Sequence, residues 1–398
     1  MLKRKIITQL EQWKKENSNT PLLITGCPKC GKTTSILHFA KNNYKEVIEI
    51  NFREQVQYIN QDLKTILNKE PNKDTLIYLD EIQLWHKTNS IKTLSSKANI
   101  ILSTSSPNII KEEINTLKMY PLDFEEFLIA KGYTKDLIEA LHNFFTTLTP
   151  VPESIHHTMM KNFREYITVG GLPEVVVPHF NNPYNYKEVH LSQQKLLASY
   201  IAFIAYNAPI SLKDKPRACY NSIPAQLLNK ENQKFQYKML EPNGKKRKYI
   251  SSINYLYASH LISLSYNLHN KENKEDNFRA YLSDLSLLMA SQDFRLKQHI
   301  IENTMPPLLE KALYKCTIAD ILAKKGYPLF FYRNETTKKE VDFLIKKEDK
   351  QFISIKIQTR KERSLPPHTN TTFYILSTNN IEVSNNTITL PLYMAMFL

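Results

Sequence analysis

The sequence predicts an α/β architecture: a parallel sheet with helices on both faces, then a helical middle, then a second mixed α/β region. Three observations carry this. Short apolar runs at 22–25, 46–51, 75–79 and 99–103 alternate with helical patterns, and alternation of that kind builds parallel sheets covered by helices. From about 135 to 210 the pattern is helical throughout. Apolar strand patterns return at 329–333, 341–345 and 352–357.

In chain order, Ile6, Ile7, Leu10 and Trp13 recur at helical spacing within 1–20, predicting an amphipathic helix that Pro21 ends. The strand Leu22–Thr25 is followed by a helix over Thr33–Asn42 and a strand over Glu46–Asn51. A helix around Ile59–Leu67 precedes the strand Thr75–Leu79, and a helix near Ile91–Lys97 precedes the strand Asn99–Ser103. Pro121-Leu122-Asp123 opens the next helix, with Asp123 as N-cap and Glu126 three residues on. Residues 220–290 read as a helix, a basic helix and short strands.

Composition excludes several classes. Hydrophobic residues make up 42% of 398, which supports ordinary cores and argues against a disordered or collagenous chain. Four cysteines are too few for a disulfide scaffold and fit a reducing compartment. Residues 1–20 lack a secretory apolar core, and the most apolar run, Leu196–Ile210, is too short to span a bilayer. The expectation is a cytoplasmic protein. The 53 Lys+Arg against 39 Asp+Glu give a net charge of +14. Most of those cations are lysines, so where they cluster matters more than their sum.

Only 7 residues are glycine, against an average near 7%. Four of them sit in two short motifs, Gly26/Gly31 and Gly170/Gly171. Glycine is needed where the backbone takes unusual geometry or must approach another group closely.

Gly26-Cys27-Pro28-Lys29-Cys30-Gly31-Lys32-Thr33 matches G-x-x-x-x-G-K-[ST] between a strand and a helix, which is the context this phosphate-cradling loop requires. The binding set is Gly26, Cys27, Pro28, Lys29, Cys30, Gly31, Lys32, Thr33 and Thr34. The backbone N–H groups would face phosphate oxygens. Lys32 would reach the β/γ-phosphates, and the Thr33 hydroxyl would ligate Mg²⁺. The strand Leu76–Leu79 delivers Asp80 and Glu81. Asp80 would hold Mg²⁺ through water and Glu81 would polarise an attacking water. The strand 99–107 ends in hydroxyls, of which Ser105, and after it Ser103, is the candidate γ-phosphate sensor. Cys27 and Cys30 form a C-x-x-C within the loop's free positions. A redox or zinc reading is open, but no second pair follows, and Cys219 and Cys316 are isolated.

The ordered set GCPKCGKT, LIYLDEIQ, LSTSS, YPLDFEEFL and VGGLPEVV resembles a bacterial and archaeal family of AAA-type P-loop ATPases that carry a C-terminal restriction-endonuclease-like domain of uncharacterised function. The later stretches IPAQLLNKENQKFQYKML, YLSDLSLL, ENTMPPLLEKAL and EVDFLI fit that second half. The resemblance implies an ATPase using ATP and Mg²⁺ in residues 1–150, a helical lid and winged-helix-like region in 151–292, and a nuclease-like α/β domain in 293–398. In that ATPase group a strand lies between the loop strand and the strand bearing the two acids.

Within this resemblance Gly170-Gly171-Leu172-Pro173 is similar to an element in which a proline packs on adenine, which adds Pro173 to the nucleotide set; Arg164 lies nearby in sequence. A helix end followed by a turn is the other reading of the same residues. Residues 245–260 resemble the recognition segment of a winged helix. Lys245 to Arg247 and Lys248 are consecutive cations at a helix start, interleaved with Tyr249, Tyr255 and Tyr257, which suits double-stranded DNA. Core tyrosines beside a solvated turn explain them as well. The C-terminal region places Glu302, Asp342 and Lys356 on a nuclease pattern, but Ser354 stands where a carboxylate is expected. Metal-dependent cutting needs that carboxylate; Glu340 could compensate. Nuclease activity is therefore not expected, and Lys356, Arg360, Lys361 and Arg363 read better as a phosphate grip. AAA-type modules often take an arginine from a neighbouring copy, so a homo-oligomer is an open expectation, with no such arginine identified.

The first functional expectation is thus an ATP-binding, ATP-hydrolysing switch, with DNA as a possible partner. The alternative is a DNA-binding or protein-recruiting module with a structural nucleotide site.

Overall fold

Leu22-Leu23-Ile24-Thr25 is apolar on both sides of the pleat, so the strand it forms has to be buried on both faces. The computed structural model describes residues 2–16, 20–88, 91–107, 114–228, 233–268, 277–334, 336, 339–346, 352–359, 372–384 and 387–398. The chain divides into one unit of residues 1–121 with 258–261, and a second of 122–257 with 262–398.

The first unit runs α1 (Lys5–Lys15), β1 (Leu22–Thr25), α2 (Lys32–Asn43), β2 (Glu46–Asn51), α3 (Leu63–Leu67), β3 (Thr75–Asp80), α4 (Ile91–Ser95), β4 (Asn99–Thr104) and β5 (Asn115–Lys118). The five strands are parallel in the order β2-β3-β4-β1-β5. β4 therefore lies between β1 and β3, as expected for the ATPase group named above. Leu22 registers with Ile101 and Tyr78 with Ile101 in turn. The C-terminal ends of β1, β4 and β3 are thus neighbours, and open α/β sheets bind ligands along that edge. One face is sealed by Leu23, Ile77, Leu79, Ile100 and Leu102, with Phe52 stacked on Trp85 at 5.2 Å.

Two local expectations changed. The helix expected over Ile59–Leu67 begins only at Leu63, because residues 59 and 61 are spent on tertiary bonds. His86 N–H donates to Ile59 O (3.0 Å) and Trp85 Nε1–H to Gln61 O (2.9 Å). β5 was not foreseen: Asn-Thr-Leu-Lys is polar and mostly exposed, so it carries no apolar signal.

The second unit contains α5 (Phe124–Ala130), α6 (Lys135–Thr147), α7 (Glu153–Val169), α8 (Pro173–Asn181), α9 (Tyr186–Asn207), α10 (Lys215–Leu228), α11 (Lys246–Ala258, its last residue grouped with the first unit), β6 (Ile262–Asn267), β7 (Phe278–Leu282), α12 (Leu285–Ala290), α13 (Phe294–Glu302), α14 (Pro307–Lys324), β8 (Leu329–Arg333), β9 (Glu340–Lys346), β10 (Phe352–Ile357), β11 (Thr372–Ser377), β12 (Glu382–Ser384) and β13 (Thr387–Pro391). The capping box at Asp123 forms: Glu126 N–H donates to Asp123 Oδ1 (2.8 Å) and Asp123 N–H to Glu126 Oε2 (3.3 Å).

The eight strands form one mixed sheet, β12-β13-β11-β10-β9-β8-β6-β7. β6 and β7 pair with each other, and β6 also pairs in parallel with β8. The strands of 262–282 therefore belong to the same sheet as the C-terminal strands. The sheet crosses the 292/293 position that sequence reading set as a boundary, and the first contact-defined break falls at 121/122 rather than 150/151. Among the described residues, no helix is long and apolar enough to cross a membrane.

Candidate nucleotide site

The loop between β1 and α2 is shaped by residues that a cradle needs. Gly26 (φ +152°) could not carry a side chain, since a Cβ would meet Met119 O at 2.1 Å. Gly31 (φ +100°) caps α2 in the left-handed region, where glycine bears no steric penalty. The loop is braced from outside itself. Arg4 donates to Cys30 O (2.9 Å) and Tyr120 O (2.5 Å), and Met119 N–H donates to Thr25 O (2.8 Å).

Lys32, nearly fully buried, donates from Nζ to Gly26 O (3.0 Å), Cys27 O (3.0 Å) and Ser105 Oγ (2.6 Å). Thr33 Oγ1 donates to Asp80 Oδ2 (3.0 Å) and accepts from Tyr78 OH (3.2 Å). Ser103 donates to the other Asp80 oxygen and lies 2.9 Å from Tyr78 OH. Burial pushes the Tyr78 phenol far above its ordinary range, with Asp80 adding to the shift, so it stays a neutral donor. Lys32, Thr33, Asp80, Ser103 and Ser105 thus converge from the ends of β1, β3 and β4. Asp80 is held by neutral groups, two hydroxyls and the Glu81 amide (2.9 Å).

Glu81 follows in the left-handed region (φ +55°) and is turned to a different partner. Arg53 donates to it from Nη2 (2.5 Å) and Nε (3.1 Å), and Gln83 from Nε2 (2.7 Å). Lys29 and Thr34 are exposed, and Pro28 is half-buried. His260 groups with this unit, and burial together with the Lys118 and Lys32 ammoniums holds its imidazole down to about 3. Burial also lowers Lys118. The Lys32 and Lys118 ammoniums thus lie close enough to act on the same imidazole at the loop end of the sheet.

Sequence reasoning missed Arg4, Arg53, Met119 and Tyr78. Tyr78 had a signal, since it sits two residues before Asp80 and so on the same strand face. Arg4 had none.

Pro173 lies in the second unit as the first residue of α8, half-buried. The two glycines before it are spent inside that unit. Gly170 (φ +81°) ends α7, and a Cβ on Gly171 would meet Leu122 O at 2.1 Å. Gly171 N–H donates to both Asp284 oxygens (3.0 Å each), and Leu122 N–H to Gly171 O (2.8 Å). Lys324 Nζ bonds Asp284 (2.7 Å), Asp320 (2.8 Å), Tyr166 OH (2.9 Å) and Leu122 O (3.1 Å). The close approach that demands glycine is thus met by protein rather than by a ligand. Arg164, on α7, is half-buried.

The acids and cations of the second sheet also meet, but with a different outcome. Asp342 on β9 pairs with Lys315 Nζ (2.6 Å) and accepts Ile357 N–H (2.8 Å). Against the effect of burial, Lys315, Lys356 and Arg279 hold it well below the usual carboxylate range. Glu340 pairs with the fully buried Arg279 (2.5 Å) and with Arg333 (3.3 Å). Lys356 donates to Glu340 O (3.3 Å), Ser354 is buried, and Glu302 is exposed at the end of α13. Among the described residues no three His, Cys, Asp or Glu side chains gather as a metal site. Arg360, Lys361 and Arg363 lie outside the described residues.

The parallel strand order and the loop with its lysine give the first unit a P-loop α/β fold. Residues 18–128 match the family model described as an AAA domain. Residues 160–298 match a domain of unknown function. An uncharacterised protein of Haemophilus influenzae is 24% identical over 210 residues, a match covering 46% of this chain and 51% of that protein; the chain thus spans about half the length of this relative. Among solved structures, a Walker-type ATPase of Pyrococcus abyssi is 11% identical, with 73% of this chain and 96% of that chain covered and a TM-score of 0.45. The RuvB T158V protein of Thermotoga maritima is 13% identical, with 65% and 87% covered and a TM-score of 0.34.

Proposed function

We propose that the chain is an ATP-binding and ATP-hydrolysing switch. One observation carries this reading: Lys32 and Thr33 of the loop are bonded to Ser105 and Asp80 of the two neighbouring strand ends. In the structure Lys32 is satisfied by two carbonyls and a hydroxyl. A triphosphate would exchange those neutral acceptors for charged oxygens, which are the stronger partners. Thr33 and Asp80 fit a divalent ion, since their oxygens lie 3.0 Å apart at the mouth of the loop. When bound, Mg²⁺ would neutralise phosphate charge. Ser105, through Lys32, would register the γ-phosphate. Glu81 would orient the attacking water once Arg53 releases it.

Binding of a fluorescent ATP analogue and phosphate release test this reading. Lys32→Ala should lose both by about 100-fold or more. Glu81→Gln should keep binding and lose turnover. Unchanged binding and turnover in Lys32→Ala would sink the proposal.

A second reading, DNA binding through 245–260, is favoured by exposed Lys245, Arg247 and Lys248 at the start of α11. Cations are unfavourable at a helix N-terminus, and a phosphate there would relieve them. Against it, Lys248 is paired with Glu241 (2.6 Å), and Tyr249 and Tyr255 are core residues. Affinity for duplex DNA that falls steeply with salt and ignores ATP would favour this reading over the switch. The Lys356 region of the C-terminal sheet is part of the same proposal.

A further inference from the structure

Gln83 lies two residues past Glu81, on the single helical turn Ile82–Leu84 that follows β3. The turn is anchored on both sides of it. Ile82 and Trp85 are buried in the apolar face of the sheet, and Leu84 N–H donates to Glu81 O (3.0 Å). Gln83 is half-buried, and both ends of its amide are used. Nε2 donates to Glu81 Oε2 (2.7 Å), and Oε1 accepts from the hydroxyl of Thr104 on β4 (2.7 Å). Thr104 Oγ1 accepts in turn from Ser106 N–H (3.0 Å).

The direction of this chain is set by its ends. An ionised carboxylate only accepts, so the amide must turn its N–H groups to Glu81 and its oxygen to Thr104. Thr104 has one proton to give, and Gln83 Oε1 at 2.7 Å takes it in preference to Ser106 O at 3.4 Å. A backbone N–H then supplies the threonine oxygen. Thr104 is almost fully buried, so the chain ends on the packed tip of β4. The next residue on that tip, Ser105, accepts from Lys32 (2.6 Å).

The Glu81 carboxylate is held on one side. Gln83 and Arg53 both donate to Oε2, and among the described residues none donates to Oε1. The two holders differ. Arg53 is exposed, and exposed ion pairs are weak. Gln83 reaches the same oxygen from the interior, with Thr104 behind it.

We propose that Gln83 is the positioning residue for Glu81: tethered to Thr104, it fixes Oε2 so that Oε1 is left to accept from the water that attacks the terminal phosphate. This assignment deepens the ATP-hydrolysing reading and rests on it. When Arg53 lets go, the Gln83 amide still aims the carboxylate. Without the amide the carboxylate swings freely, and the orientation has to be found again at each turnover.

The test measures kcat and KM for ATP, and affinity for the fluorescent analogue, on the full chain. Gln83→Leu should lower kcat about tenfold or more with affinity unchanged, because a charge-assisted bond that orients the water is lost and none to the nucleotide is. Thr104→Val should lower kcat in the same way, and Thr104→Ser, which keeps the hydroxyl, should preserve it. In a Glu81→Ala background, Gln83→Leu should lower turnover by less than about twofold, since nothing remains to be aimed. Unchanged or raised kcat in Gln83→Leu, beside a wild type that turns over, would overturn the assignment and leave the ATP reading standing. Equal losses in both backgrounds would also overturn it, since they mark a structural residue. If Gln83→Leu no longer binds the analogue, Thr104→Val against Thr104→Ser decides. A wild type without turnover removes the hydrolytic reading itself, and the role of Gln83 with it.

Discussion

Two buried strand carboxylates show how partners decide what an acid can do. Asp80 ends β3 and is held by the hydroxyls of Thr33 and Ser103 and by the Glu81 backbone amide. Asp342 sits within β9 and is held by the Lys315 ammonium and a backbone amide. Hydroxyls and an amide are neutral partners, so no cationic side chain is bonded to Asp80 in the way Lys315 is bonded to Asp342. Asp342 already has its cation, bonded at 2.6 Å. The same residue type is therefore poised in one sheet and spent in the other, and this supports nucleotide chemistry in the first unit over metal-dependent cutting in the second.

The largest way to break the comparison is Lys315→Ala. It would leave Asp342 buried without its nearest cation, and such a loss costs about 3–5 kcal/mol. A denaturant midpoint should fall accordingly; an unchanged midpoint would mean that Asp342 is not held as described.

A third acid sharpens the contrast through pH. Asp320 shares Lys324 with Asp284, and burial pushes it up to about 7. Its folded value lies above its unfolded one, so it stabilises fully at pH below about 4 and loses that contribution as pH rises through about 7. Asp342, lowered, has the opposite sign: its contribution is present above about 4 and lost in acid. Asp320→Asn should flatten the decline of thermal midpoint between pH 5 and 8, and an unchanged slope would contradict the assignment.

Tyr78→Phe should cost about 1 kcal/mol and weaken Mg²⁺-dependent nucleotide binding more than nucleotide binding alone. It removes the donor to Thr33 and the hydroxyl that lies beside Ser103. Titrations with and without Mg²⁺ separate the two effects. The smallest effect is expected from Arg53→Ala. Freeing Glu81 from a half-exposed ion pair should raise turnover about two- to fivefold, the equivalent of ~0.5–1 kcal/mol, with unchanged affinity. A fall in turnover would make Arg53 a participant in the site.

The parts legible in the sequence were those encoded locally. β1, β2 and β10 have the boundaries that their apolar runs imply, and the Asp123 capping box forms from residues three apart. The loop motif marked its own strand and helix. What was hidden depends on distant residues. Arg4 reaches Tyr120 across 116 positions, and Arg53 reaches Glu81 across 28. β5 is polar because it is an edge, and the pairing of β6 with β8 joins stretches that no local pattern connects. Gly170 and Gly171 were correctly marked as sites of close approach, but the sequence could not name the approaching group, which is Leu122 on one side and the Asp284–Ser286 turn on the other.

The bracing of the loop by Met119 and Tyr120 has a consequence for the order of folding. β1, α2 and the glycines are all made by residue 43, yet the carbonyl against which Gly26 packs and the one that anchors Arg4 arrive only with residues 119 and 120. Closing contacts over such separations is entropically slow. The cradle should therefore be among the last features of its unit to mature: a nascent chain that has emerged only as far as β4 would hold the motif in sequence but not in shape.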